Sequence, residues 1–390
     1  MVTNKLLAVE SIRGIACLIV VFSHLSLTFF PILHSGNTDF KLYPIQSYLY
    51  DLPFGFLYSG LSAVFVFFVL SGFILTKVLT DNYSDTRLKK ACLKRYPRLM
   101  LPALLSCVLA YLVISSFEMN HPSLTDWINN FGNFDGSLLG AFYNGAIDVF
   151  FLSGKSLYNP VLWTMKIELI GSFLVFLLIY LFNKFNKSYF SILLLFVILI
   201  LTVTKMLNPL LGLGLAGFII GFIFCIHGSI INFKYSILLL ITGLYLAGAH
   251  NDSSSYFIFT QIIGGKTYNL CNFISGILIV YAILFNNELN NFFSGKVGVF
   301  LGKISFSIYL IHLPILYVLG VYFFSYIYAV SENYTLASIL ASIVTITVSI
   351  ILAIPFHKFV DKKAMSFSNW VANRNSNLNK DSFKASKESM

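Results

Sequence analysis

The sequence predicts an all-α, polytopic transmembrane helical bundle of about ten spans, with both termini cytoplasmic. Three observations predict it. Of 390 residues, 57% are hydrophobic and only 11% charged, against ~25% charged in soluble domains, so the chain has too little charge to cover a water-facing surface. The apolar residues fall in runs near the ~20 that cross ~30 Å of hydrocarbon as helix; barrel strands would be ~10 residues long and would alternate in polarity. The placement of Lys and Arg is lopsided, which sets the orientation.

The runs cover residues 6–31, 56–78, 98–117, 160–182, 189–205, 208–228, 234–250, 270–286, 298–325 and 335–357. In hydrocarbon every backbone group must be bonded within its own segment, so runs of this length are helices. With the N-terminus in the cytoplasm, the inside receives Lys5, the seven basic residues from Lys77 to Arg98, Lys184, Lys187, Lys234, Lys296, Lys303 and the seven from Lys358 onward, 20 of the 26 Lys and Arg. Outside stand only Lys41, Lys155, Lys205 and Lys266, and Arg13 and Lys166 lie within spans. Loops facing anionic lipid account for most of the net charge of +10, so no nucleic-acid partner is needed. The first run is longer than a signal-peptide core and carries Glu10 and Arg13, so it is expected to stay on the chain. Cys17, Cys92, Cys107, Cys225 and Cys271 show no paired spacing, which predicts free thiols and no metal. Residues 1–365 are read as one membrane domain and 366–390, rich in Asn, Ser and Lys, as a disordered cytoplasmic tail. The outer loop 118–159 contains a mildly apolar stretch, 138–152, that is either re-entrant or interfacial.

A charge at the bilayer centre costs ~3 kcal/mol on insertion scales, so polar residues inside the spans are candidates for function. Arg13 and His24 are 11 residues apart; that rotation ends about 20° from alignment, so they share a face, roughly 16 Å apart along the axis. Glu10 stands one turn before Arg13 and can pair with it. The structural alternatives are that Arg13 snorkels and His24 bonds a neighbouring helix. In "NPVLWTMKIELIG", Pro160 suits a helix start and Glu168 falls roughly 12 Å into the span, while His24 lies roughly 10 Å from the outer end of the first. The two are therefore expected at one depth, as a pair that fixes the imidazole tautomer and raises its basicity. Alternatively, Glu168 pairs with Lys166 or another basic residue. His312 precedes Pro314, so it is either functional or marks a kink. Ser71 and Gly72 either line a substrate path or let helices approach. In "RLKKACLKRYPR" six of twelve residues are basic; Arg95 and Arg98, one turn apart, suit one phosphate group, with plain positive-inside anchoring as the alternative.

In this order the segments resemble the membrane acyltransferase-3 family, whose bacterial members O-acylate surface polysaccharides. "ESIRGIACLIVVFSH" resembles its first span, with Arg, ten residues, then His. "FFVLSGFILT" resembles its second span, "KRYPRLMLP" its Arg-x-x-Arg approach to the third, and "SFSIYLIH" its late Ser-x-Ser-x-Tyr-Leu-x-His segment. "LWTMKIEL" resembles the Trp-and-Glu segment, where the family more often has Ser-Leu or Thr-Leu and a second acidic residue at the positions of Met165 to Ile167. The motifs cover residues 9 to 312.

The resemblance implies acyl transfer from cytoplasmic acyl-CoA, acetyl-CoA first among donors, to a hydroxyl of a cell-surface or lipid-linked glycan, at the bacterial inner membrane beside glycan-assembly proteins. It carries catalytic roles onto His24, Glu168 and Arg13, donor binding onto Arg95 and Arg98 together with Arg13, and substrate contacts onto Ser71, Trp163, Ser305, Tyr309 and His312. The chemistry is compatible. Arginines suit the phosphates of CoA, a neutral His24 oriented by Glu168 takes the proton of the sugar hydroxyl, and Arg13 neutralises phosphate or developing charge. An acyl-enzyme relay is the other route. Buried Arg, His and Glu also suit a proton-coupled exporter of a glycan or organic acid, against which stand the lack of an internal repeat and the Arg pair. A non-catalytic partner in glycan assembly is the third reading.

Overall fold

The computed structural model describes residues 2–35, 44–187, 189–250 and 253–374, which are mostly helix and contain no strand. Among them ten helices take up the ten expected runs: α1 (Val2–Phe29), α2 (Gly60–Thr80), α3 (Asp85–Ser116), α4 (Thr164–Phe185), α5 (Tyr189–Val203), α6 (Pro209–His227), α7 (Phe233–Ala247), α8 (Thr267–Leu284), α9 (Lys296–Ser331) and α10 (Tyr334–Arg374). Eight segments are long and apolar enough to cross a membrane, while α5 and α7 have only 15 residues each. Many starts are set by a polar side chain that accepts from the first free N–H groups: Ser59 from Ser62 N, Ser84 from Arg87 N, Asn208 from Leu210 N ahead of Pro209, and Asn333 from Leu336 N.

Small residues then decide which helices touch. A Cβ on Gly302 would sit on the Glu10 carbonyl, and one on Gly298 on the Ser11 hydroxyl, so α1 and α9 meet backbone to backbone. They run parallel at a constant offset of 288 residues: Cys17 Sγ donates to the Ser305 carbonyl at 3.1 Å, and His24 meets His312. Gly72 and Gly221 bring α2 and α6 together in the same way. Ser59–Asn272 and Ser62–Ser275 hydrogen bonds, 2.5 and 2.8 Å, hold α2 beside α8.

Between α3 and α4 the helical stretch Leu138–Phe151 dips into the bundle against α3. Asn144 meets Cys107, Gly145 packs on Leu104, and the Tyr96 hydroxyl donates to the Ala146 carbonyl at 2.7 Å with its ring against Phe150 and Phe151. Cys107 to Tyr96 is roughly 16 Å of descent. The chain then returns, Ser156 lying at Cys107 and Asn159 at Ser106. The stretch is thus re-entrant. Its bottom is tied off within the protein, where Asp148 accepts from Asn144 Nδ2 and Ser153 N and Lys166 Nζ donates to the Leu152 carbonyl at 2.7 Å, as membrane-depth irregular backbone requires.

One boundary differs from expectation. Helix α10 continues to Arg374, where Lys90 Nζ donates to Asn373 at 2.9 Å, so residues 366–374 are helix packed on the start of α3 rather than the beginning of a disordered tail. Residues 375–390 lie outside the described part.

Candidate active site

A cavity of about 380 Å³ sits at the end of the bundle that carries most of the basic residues. Helix α1 contributes Glu10 and Arg13, α2 Ser71, α3 Arg95 and Arg98, α4 Thr164 and Glu168, α9 Lys303, Ser305 and Tyr309, and α10 His357 and Asp361. The Gly302 approach places α1 and α9 side by side on one wall. Arg13 Nη1 donates to Glu10 at 3.2 Å with both side chains about a third exposed. Arg95 Nη2 donates to Glu168 Oε2 at 2.5 Å with both side chains 14% exposed, and Ser71 Oγ donates to Glu168 Oε1 at 3.1 Å. His357 Nδ1 stands 2.9 Å from Asp361 Oδ2 across one turn. Among the described residues Arg98 and Lys303 make no hydrogen bond or ion pair, and Asp361 is the opposite charge that acts most on Arg98.

Tyr309 leads from this cavity toward the other end. Its hydroxyl donates to the Val161 carbonyl at 2.6 Å and lies 3.0 Å from the Thr164 hydroxyl. One turn further, His312 Nδ1 lies 3.1 and 2.8 Å from the Ile308 and Tyr309 carbonyls, and its Nε2 lies 3.0 Å from His24 Nδ1. Carbonyls only accept, so in the neutral pair His312 carries its proton on Nδ1 and accepts at Nε2. His24 then donates from Nδ1, which leaves its lone pair on Nε2. Trp127, from the short helix Asp126–Asn129 above the bundle, stacks on His24 at 5.7 Å and 14°.

His312 also stands two residues before Pro314, after which the helix widens into a π-helical stretch over Leu316–Gly320. Pro314 has no N–H for the Leu310 carbonyl, and the buried Asn159 supplies one from Nδ2 at 2.8 Å.

The expected Glu168–His24 pair is not formed. Glu168 is held by Arg95 and Ser71, and His24 by His312. Thr164 and Tyr309 touch; Glu168 lies four residues from that level toward the basic end and His312 three residues toward the other, so the two groups are separated by roughly 10 Å along the axis. The sequence count of depth started at Pro160 as if it stood at the outer surface. The re-entrant stretch instead delivers a buried turn, Pro160–Trp163, beside Ser106, roughly 15 Å below the outer end of α3. Lys166, the other proposed partner of Glu168, donates to the Leu152 carbonyl. Arg95 and Arg98 do not form one free fork, because Glu168 holds Arg95. Ser71, Ser305 and Tyr309 line the cavity, whereas Trp163 packs half-buried against the core outside its lining. Sequence reasoning missed Thr164, Lys303, His357, Asp361 and Trp127. His357 and Asp361, one turn apart at the end of an apolar run, were legible as an i, i+4 pair; nothing in the loop marked Trp127. Among the described residues no group of His, Cys, Asp or Glu is placed to hold a metal.

A helical bundle that gathers ionised groups around one cavity within its apolar spans is a membrane protein that handles a polar ligand. A family profile described as an acyltransferase domain matches residues 6–354, and the chain belongs to the membrane acyltransferase-3 family. It is a multi-pass membrane acyltransferase. No curated protein and no solved structure gives a match.

Proposed function

We propose that the protein moves an acyl group, acetyl first among candidates, from cytoplasmic acyl-CoA to a hydroxyl of a cell-surface or lipid-linked glycan at the bacterial inner membrane. The observation that carries this reading is the pairing of two unlike places in one bundle: a cavity in which, among the described residues, Arg98 and Lys303 make no hydrogen bond or ion pair, and a histidine pair, beyond Tyr309, that presents a lone pair at His24 Nε2 when neutral.

In this reading the CoA phosphates take Arg98, Lys303 and Arg13 as partners, while Glu168 holds Arg95 in the wall. The arm between the phosphates and the thioester covers the roughly 16 Å from Arg13 to His24. The sugar hydroxyl oxygen attacks the thioester carbonyl carbon, its proton passes to His24 Nε2, and the C–O bond forms. The C–S bond then breaks and the proton goes on to the CoA sulfur. His312 takes over the orienting role that the sequence suggested for Glu168. The developing imidazolium is stabilised by the Nδ1–H bond to His312, whose own Nδ1–H is anchored on two carbonyls.

The test is deletion of the gene in its host and complementation with wild type or His24→Ala, reading alkali-labile O-acetyl on glycans by NMR. Signal that returns with wild type and not with an equally expressed His24→Ala supports the proposal. Acetyl content that never changes, with altered glycan or metabolite export, removes it.

A further inference from the structure

An apolar groove of about 480 Å³ runs between α3, α9 and α10 on the side of α9 that carries Pro314. Its walls include Leu109, Val113 and Phe117 from α3, Pro314 and Leu319 from α9, and Leu352 from α10. Leu109, Val113 and Phe117 recur every four residues and line one face of α3 over roughly 12 Å. Phe117 and Leu352 are also exposed at the bundle surface, so the groove opens sideways. Among the described residues its lining contains no charged or amide side chain.

Phe117 also lines a second, polar hollow of about 840 Å³ at the outer end. Asn120, Asn129, Asn130 and Asn133 crowd it, and Tyr317 ties its lip, its hydroxyl accepting from Met119 N and donating to the Phe117 carbonyl. Among the described residues the hollow's lining contains no Lys or Arg, and Glu118 is the one charged side chain there. Rings lead from it to the histidines: Tyr317 to Phe131 at 5.2 Å, Phe131 to Trp127 at 6.4 Å, and Trp127 to His24 at 5.7 Å.

We propose that groove and hollow together form the acceptor site, and that the acceptor is a glycolipid whose hydrocarbon chain lies in the groove while its uncharged, hydroxyl-rich head sits among the asparagines. The proposal rests on the acyl-transfer reading and deepens it. Two features select this occupant. The apolar and amide surfaces join at one residue, which fits a molecule that changes from chain to head at that level. The Asn120, Asn130 and Asn133 amides donate and accept, as sugar hydroxyls require, while Asn129 is held by His121 and Leu124; a phosphate head would meet Glu118 and, among the described residues, no cation. An ordinary phospholipid is therefore a poor match for the whole lane. Trp127, between the hollow and His24, stacks on the imidazole.

Washed membranes from cells expressing each form, incubated with radiolabelled acetyl-CoA, test this. Alkali-labile label is measured in the chloroform–methanol extract and in the residue, beside acetyl-CoA affinity. Wild type is expected to label the extract and His24→Ala to label neither fraction. Val113→Trp with Leu319→Trp, which fills the groove, is expected to lower extractable label at least tenfold with acetyl-CoA affinity unchanged. Asn120→Ala with Asn133→Ala, which leaves the helices untouched, is expected to lower it several-fold and covers the case of a groove variant that fails to fold. Extractable label that neither pair of substitutions lowers, or label confined to the residue, overturns the lane and leaves acyl transfer standing. Label that is equal in wild type and His24→Ala overturns acyl transfer at this site and the lane with it.

Discussion

The two ends of the bundle solve the problem of polar groups in lipid differently. At the basic end the cavity keeps charges and sets opposite ones against each other: Glu10 beside Arg13, Glu168 on Arg95, and Asp361 acting on Arg98. Toward the other end His24 and His312 share one hydrogen bond between their rings, under the Trp127 indole, and no carboxylate or basic side chain bonds either ring among the described residues. In the proposed reading, the contrast separates holding an anion, which needs permanent charge, from moving a proton, which needs a group that is neutral at rest.

The largest expected effect tests that division directly. His24→Ala should lower the acyl-transfer rate ~10²- to 10⁴-fold with acyl-CoA affinity unchanged by titration calorimetry, whereas Arg98→Ala should weaken acyl-CoA binding tenfold or more and leave the saturated rate near wild type. The opposite split would abolish the distinction between the ends. Next comes Glu168→Gln, which leaves Arg95 buried against a neutral amide; breaking such a pair costs about 3–5 kcal/mol. Folded yield in detergent should fall, and Arg95→Gln in the same chain should restore part of it. Additive losses would show that the pair does not act as a unit.

Gly302→Leu should cost about 1–3 kcal/mol by overpacking and, because α1 carries Arg13 and His24 alike, should impair binding and rate together. Loss of only one would mean that the ends are not joined through the α1–α9 contact. The smallest effect is one of pH at the outer layer. Burial holds His250 down to about 4, among Tyr50, Tyr58 and Tyr268, and lowers His121 more modestly. The unfolded chain binds these protons near pH ~6.5, before the folded protein does. Their contribution is thus present above ~6.5 and lost as pH falls toward 4. Thermal unfolding at pH 7 and pH 5 should show this drop, and His250→Gln should shrink it.

All ten runs were legible as helices because lipid leaves the backbone no alternative, and the Arg13–His24 face followed from helical rotation alone. Depth was not legible. It depended on where α4 begins, and that depended on whether 138–152 enters the bundle, a choice settled by Gly145 against Leu104 and Tyr96 against Ala146, contacts that no periodicity announces. The misplaced Glu168 partner follows from that single unknown. The end of α10 was misread for a simpler reason: a polar composition looks the same in a solvated tail and in a helix docked through Lys90 and Asn373.

The 288-residue offset between α1 and α9 has a consequence for biosynthesis. At ~5–20 residues per second, the ribosome needs roughly 15 to 60 s to make the partner that covers Gly14, Cys17 and His24. Until then the first helix waits in the membrane with Glu10, Arg13 and His24 lacking the neighbour that shields them. The His24–His312 pair cannot form before α9 has been made, so on the proposed reading the chain gains its proton acceptor late in its synthesis.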